Sequence, residues 1–182
     1  MKELSMHILD IAQNSISANA SLIEIIIDED IEKDILTIII KDNGKGMNEE
    51  ILKRVTNPFY TSRTTRKVGL GIPMFKAAAE ACDGFFEINS KMGKGTVVKA
   101  VFKYSHIDRA PLGNMVDTLL TLILSNPNID FIYVHKKNNK SYILNTKEIK
   151  EILGEVPINN IDVLKWIKNN LKEGLKDLNE NL

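Results

Sequence analysis

Four clusters of small and polar residues carry the chemistry this sequence can offer. Asp42-Asn43-Gly44-Lys45-Gly46-Met47 follows a solidly apolar run, Ile35 to Ile40, which predicts a buried strand ending at Lys41 and Asp42. Gly44 and Gly46 clear side chains from the turn beyond it, so another group can approach the backbone closely. A second cluster, Gly69-Leu70-Gly71, runs into Ile72, Pro73 and an alanine-rich helix. Proline suits the first helical turn, so these glycines lie against the positive end of a helix, a ready anion site. Upstream, His7, Asp10, Asn14 and Ser17 form one stripe of a helix whose other face is apolar. They are short side chains suited to metal or phosphate contact, unlike the Lys and Glu of an ordinary solvated face. Between the glycine clusters, Phe59 to Lys67 interleaves hydroxyls with Arg63, Arg66 and Lys67. Such a loop can wrap an anion, and a plain solvated basic loop has a similar composition.

These clusters together suggest a nucleotide site. A carboxylate at a strand end can accept a hydrogen bond from an adenine amino group, while a helix start and a basic lid donate to phosphates. Asn14 could hold magnesium, a hard cation that keeps several waters and takes few protein ligands. The Walker pattern G-x-x-x-x-G-K-[ST] has no match.

The elements that position these residues follow from periodicity. A helix is predicted from Glu3 to Ala18, then a hairpin of strands Ser21 to Ile27 and Ile35 to Lys41 around an acidic turn, Asp28 to Asp34, read as a solvated loop. A short helix, Asn48 to Val55, has Asn48 as its cap and stops at Asn57-Pro58. The helix from Pro73 to Cys82 turns Phe75, Ala78, Ala79 and Cys82 inward, which makes Cys82 core and not nucleophile. Gly84 ends it, and Phe85 to Ser90 with Val97 to Tyr104 form a second hairpin around M-G-K-G-T. Beyond a linker, 105–113, come a helix from Asn114 to Leu124, a third hairpin turning at Asn138-Asn139, and helices Lys147 to Leu153 and Asp162 to Leu178. This divides the chain into 1–104, the linker, and a small α/β segment, 114–182, that carries no recognisable chemistry.

With 24 basic and 24 acidic side chains the formal charge is zero, which gives no reason to expect nucleic acid or an anionic membrane as partner. No apolar run approaches the length of a membrane span and no signal-peptide pattern opens the chain. The single cysteine excludes an intrachain disulfide. A cytoplasmic location is the expectation.

On these motifs, residues 3 to 104 resemble the GHKL, or histidine-kinase-like, ATPases, the domain shared by DNA gyrase, heat-shock chaperone ATPases, sensor histidine kinases and MutL. D-I-A-Q-N-S is similar to the family's N-box, D-N-G-K-G to its first glycine box, G-L-G to its second and G-K-G-T, with Gly95 and Thr96, to its third. The resemblance implies an α+β fold, a two-layer α/β sandwich of the Bergerat type, with a C-terminal α-β-β-α-α appendage. It implies that Asp42 binds the adenine amino group, that Gly46 and Thr96 help hold it, and that Met47 packs on the ring. Asn14 would ligate Mg2+, and Gly69, Leu70 and Gly71 would face the phosphates of ATP or ADP. Asp10 occupies the place of the family's catalytic glutamate and is one methylene shorter. N-P-F-Y-T-S-R resembles the lid of certain histidine kinases and makes Arg63 a γ-phosphate contact. The chain through the linker also resembles a group of small stand-alone bacterial ATP-binding proteins.

Because the N-box starts within the first ten or so residues, no upstream dimerisation helix with a phosphoacceptor histidine is expected, nor is an ordinary sensor kinase. Ser105-His106-Ile107-Asp108-Arg109-Ala110-Pro111-Leu112 matches the spacing of a phosphoacceptor box, S-H-x-x-R-x-P-L, but on the wrong side of the ATPase region and without the acid after the histidine. It is read as linker; His7 and His135 are read as structural. The expected function is a magnesium-dependent ATP-binding protein, a regulatory protein kinase or ATPase. The alternatives are a nucleotide-sensing module and an ATP-gated clamp. Expected partners are ATP, a regulatory protein and a second copy of the chain.

Overall fold

The computed structural model describes residues 2–57, 59 and 70–180. In chain order the elements are α1 (Leu4–Ser17), β1 (Leu22–Asp30), β2 (Ile35–Asp42), α2 (Glu49–Val55), α3 (Gly71–Glu80), β3 (Phe85–Lys91), β4 (Gly95–Lys103), α4 (Met115–Ser125), β5 (Asp130–Lys137), β6 (Lys140–Asn145), α5 (Thr146–Leu153) and α6 (Ile161–Asn179). The strands form one sheet in the order β3-β4-β2-β1-β5-β6. All neighbours are antiparallel except β1 and β5. A parallel neighbour needs a crossover, and the linker with α4 supplies it.

Side chains alternate along each strand, and one face of the sheet carries the core. Ile23, Ile25 and Ile27 of β1 and Leu36, Ile38 and Ile40 of β2 are each exposed by no more than 1%. They share a continuous cluster with Ile8 and Ile11 of α1, Phe75 of α3, Leu119 and Leu122 of α4 and Ile167 and Leu171 of α6. The architecture is the expected two-layer α/β sandwich, with helices on one face of the sheet. The strands after the linker do not form a sheet of their own. They extend the first one at β1, and the core runs on beneath them.

The linker also starts α1. No side chain caps Glu3, but the carbonyls of Pro111 and Leu112 accept from Leu4 N and Ser5 N at 3.0 and 2.8 Å, satisfying two of the donors a helix start leaves open.

Three local expectations change. The helix predicted from Pro73 begins at Gly71, so Pro73 is its third residue, still within the turn where a missing N–H costs no helical bond. The acidic turn is shorter than expected because β1 runs on to Asp30. Nor is that stretch merely solvated: Glu29 pairs with His135, and the Asp34 carboxylate accepts from Ser105 N and Oγ, both at 2.8 Å.

Candidate functional site

Asp42 is the last residue of β2, opposite Thr96 of β4, at the end of the sheet where α1 also finishes. It is 9% exposed, and both carboxylate oxygens are held. Oδ2 accepts from Ser15 Oγ at 2.6 Å and Oδ1 from Gly44 N at 2.8 Å. A carboxylate fixed in this way presents its remaining lone pairs in a set direction. They border a cleft of about 170 Å³ walled by Ile11, Ile72 and Val98, with Asn14, Met47 and Thr96 on its lining.

The turn that shapes the cleft is fastened at several points. Asn43 Oδ1 accepts from Ser21 N and Leu22 N, both at 2.9 Å, and Lys45 N donates to the Ala18 carbonyl at 2.8 Å. Gly46 has φ +69° and Gly95 φ +114°, conformations that favour glycine. A Cβ on Gly46 would strike the Lys91 carbonyl, and one on Gly95 the carbonyl of Asp42 itself. Ser90 ties the two glycine boxes together: its Oγ accepts from Met47 N at 2.8 Å and lies 2.8 Å from Thr96 Oγ1.

The polar stripe of α1 divides. Asn14 faces the cleft, and its buried amide nitrogen has no partner among the described residues. Asp10, one turn earlier, lies against the start of α3: a Cβ on Gly71 would come within 3.2 Å of Asp10 Cβ and 3.8 Å of Oδ2. Burial pushes the Asp10 carboxyl above the usual carboxylate range. His7 is 4% exposed and stacks on Phe75 with ring centroids 5.2 Å apart. Burial lowers its pKa to about 4, and Nδ1 has no partner among the described residues.

Asp42, Asn14, Gly46, Met47 and Thr96 therefore meet at one cleft. Gly44 and Gly95 shape Asp42 from behind, and Leu70 and Gly71 open α3 beside Asp10. Arg63 and Gly69 lie outside the described residues. Ser15 and Ser90 escaped the sequence reading. Ser15 has the one available signal, a hydroxyl directly after Asn14 on a helix face that is otherwise apolar; Ser90 has none.

His106 is elsewhere. β4 leads away from Thr96 to Lys103, the last of its nine residues, about 23 Å of strand. His106 Nε2 then sits 3.6 Å from Asp83 Oδ2. Arg109 of the same segment donates from Nε to the Tyr104 carbonyl at 2.6 Å and lies over the Tyr104 ring. His135 is buried at that end too, with Nδ1 2.7 Å from Tyr133 Oη and Nε2 2.7 Å from Glu29 Oε2. Burial opposes the Glu29 charge, but the bond to His135 and the nearby charges bring its pKa below the ordinary value. Among the described residues no cluster of three His, Cys, Asp or Glu could hold a metal ion by itself, and no helix is long and apolar enough to cross a membrane.

A family model described as histidine kinase-, DNA gyrase B-, and HSP90-like ATPase matches residues 2–106, more than half of the chain. A putative sensor protein of Shewanella frigidimarina is 32% identical over 109 residues, 59% of this chain and 17% of that protein. Sensor histidine kinase YvrG of Bacillus subtilis is 32% identical over 94 residues, 50% of this chain and 16% of that protein. Sporulation kinase C of the same organism is 39% identical over 64 residues, 35% of this chain and 15% of that protein. The chain thus spans less than a fifth of the length of these relatives. Among solved structures, the Aquifex aeolicus MutL ATPase domain complexed with ADP aligns with 93% of this chain and 88% of its own, at TM-score 0.50 and 14% identity. The N-terminal domain of a DNA repair protein aligns with 85% and 58% at TM-score 0.55 and 17% identity.

Proposed function

Because the chain belongs to the histidine kinase-, DNA gyrase B- and HSP90-like ATPases, we propose that its cleft binds ATP with magnesium and that the nucleotide serves phosphoryl transfer, to a regulatory protein partner or to water. The observation that carries this reading is Asp42, a buried carboxylate clamped on both oxygens at the floor of the cleft. Its free lone pairs suit the exocyclic amine of adenine, a donor that guanine lacks at the corresponding position. Met47 and the aliphatic wall suit the faces of the base.

Asn14 supports the magnesium assignment. Its amide lines the cleft with a buried nitrogen that has no partner among the described residues, and turning the amide would present its oxygen. One amide and no acidic cluster fit an ion that takes most of its ligands from water and phosphate. With Asn14 as its protein ligand, a bound magnesium ion would supply positive charge against the phosphates. The first N–H groups of α3, at Gly71 and Ile72, lack helical acceptors and suit an anion.

Asp10 is the base in this reading. Its raised pKa moves a carboxylate toward the range where proton abstraction near neutral pH is effective. Transfer to His106 of the same chain would have to cross the length of the sheet, so the acceptor is a separate protein side chain or water. The kinase names of two relatives favour the protein.

Calorimetric titration with ADP, with and without magnesium, tests the site. Incubation with γ-labelled ATP, alone and with cell extract, then tests turnover. The expected result is magnesium-dependent binding followed by label on a partner or in free phosphate. Absence of adenine-nucleotide binding would reject the site, and binding without any label transfer would leave a nucleotide-sensing module.

A further inference from the structure

The sheet has a second face, opposite the helices, whose composition is wrong for water. A half-solvated antiparallel sheet alternates apolar and polar positions, whereas continuous apolar runs mark strands buried on both sides. The isoleucine triplets 25–27 and 38–40 are of the second kind. Residue pairing sets Ile143 of β6, Val134 of β5, Ile26 of β1 and Ile39 of β2 in one row straight across four strands. Ile132 and Val97 lie in the row on one side, Val101 and Phe85 in the row on the other. None of these eight belongs to the helix-covered core cluster or packs against it, and Ile143 and Phe85 are 62% and 46% exposed.

We propose that a second copy of this chain covers this face, sheet against sheet, about a two-fold axis that runs parallel to the strands between β1 and β2. Charge is the first ground. These three rows carry three acids, Glu24, Asp28 and Glu87, and three lysines, Lys41, Lys99 and Lys136, so they select neither an acidic nor a basic partner and do not repel their own copy.

Symmetry is the second ground. In an isologous contact about that axis, a residue on β1 meets the residue paired with it on β2 of the other copy. Ile26 then faces Ile39, and Glu24 and Lys41, 3.9 Å apart within one chain, face Lys41 and Glu24 of the other copy, since those pairs share rows. By the same rule β5 meets β4, and Ile132 faces Val97. A two-fold axis across the strands would instead set Glu24 against Asp28, like against like. Lys99 already leans aside, its ammonium 5.6 Å from the centre of the Phe85 ring.

Area is the third ground. Six strands spaced by about 4.8 Å, with outward positions spanning about 17 Å, give on the order of 500 Å² in plane. With side-chain relief, two such faces bury roughly 1,200 Å², within the range of stable interfaces.

Sedimentation equilibrium on the full chain tests this. Wild type should be a dimer at micromolar concentration, and Ile39→Lys should dissociate at least about 30-fold more readily, as a central hot-spot loss does. Its far-ultraviolet dichroism and ADP affinity should stay at wild-type values; if it fails to fold, Val134→Lys makes the same test. Glu24→Lys and Lys41→Glu should each weaken the dimer, and the double swap should restore it. A chain that stays monomeric to about 100 µM overturns the proposal. So does a dimer that survives both lysine variants, or a double swap no better than its parents.

Discussion

The two ends of the sheet hold comparable sets of polar groups and use them in opposite ways. At the far end, Glu29, His135 and Tyr133 bond to one another in a chain, Arg109 bonds to the Tyr104 carbonyl, and Asp34 accepts from Ser105. At the cleft end Asp42 is clamped but has lone pairs to spare, and Asn14 has a donor with no acceptor among the described residues. Burying a polar group without a partner costs on the order of 1–3 kcal/mol. At the cleft a ligand can supply that partner. Polar residues at the far end should therefore matter for stability and those at the cleft for ligand.

The sharpest test of that division is turnover. Asp10→Asn should lower phosphoryl transfer or hydrolysis by about 10² to 10⁴-fold, the usual loss on removing a general base, while ADP affinity changes little. A variant that turns over as fast as wild type would remove Asp10 from the chemistry.

The converse belongs at the far end. His135→Ala strands the Tyr133 hydroxyl and the Glu29 carboxylate inside the protein, which should cost about 3 kcal/mol of stability. Chemical denaturation reads this, and nucleotide affinity at a temperature where the variant is folded should not move. A large loss of ADP binding in folded His135→Ala would break the distinction between the ends.

Asp42→Asn should do the reverse. An amide cannot accept on both sides, so it conflicts with Ser15, Gly44 or the adenine amine. Loss of a hydrogen bond to a charged group predicts ADP affinity weakened by about 10 to 100-fold, with melting close to wild type. Calorimetry giving wild-type affinity in a folded variant would place adenine somewhere else.

How much of this could be read from sequence follows the same line. Asp42 and its glycines were legible because an apolar run followed by Asp-Asn-Gly leaves few conformations open. The cleft-facing side of α1 was legible because a 3.6-residue period fixes which residues share a face. The period does not say what covers that face, so His7 and Asn14 looked alike although α3 buries only the first. Ser15 was hidden by its apolar neighbours, and Ser90 by a strand with no local signal. The parallel docking of β5 on β1 was hidden because strand pairing across a hundred residues leaves no trace in local periodicity.

His7 gives the smallest effect and tests that last divergence along α1. In the folded chain its pKa is about 4 against an ordinary 6.5, so between those values the unfolded chain binds a proton that the folded one does not. Stability is therefore whole above pH 6.5 and is lost as pH falls through the window toward 4. At about pH 5 the loss should be roughly 2 kcal/mol. Denaturant midpoints of wild type between pH 7 and pH 5 give the slope, and His7→Phe, which keeps an aromatic partner for Phe75, should flatten it whatever its stability at neutral pH. If His7 were instead part of the ligand site, the same substitution would leave the slope and weaken nucleotide binding. That outcome would return His7 to the side of Asn14.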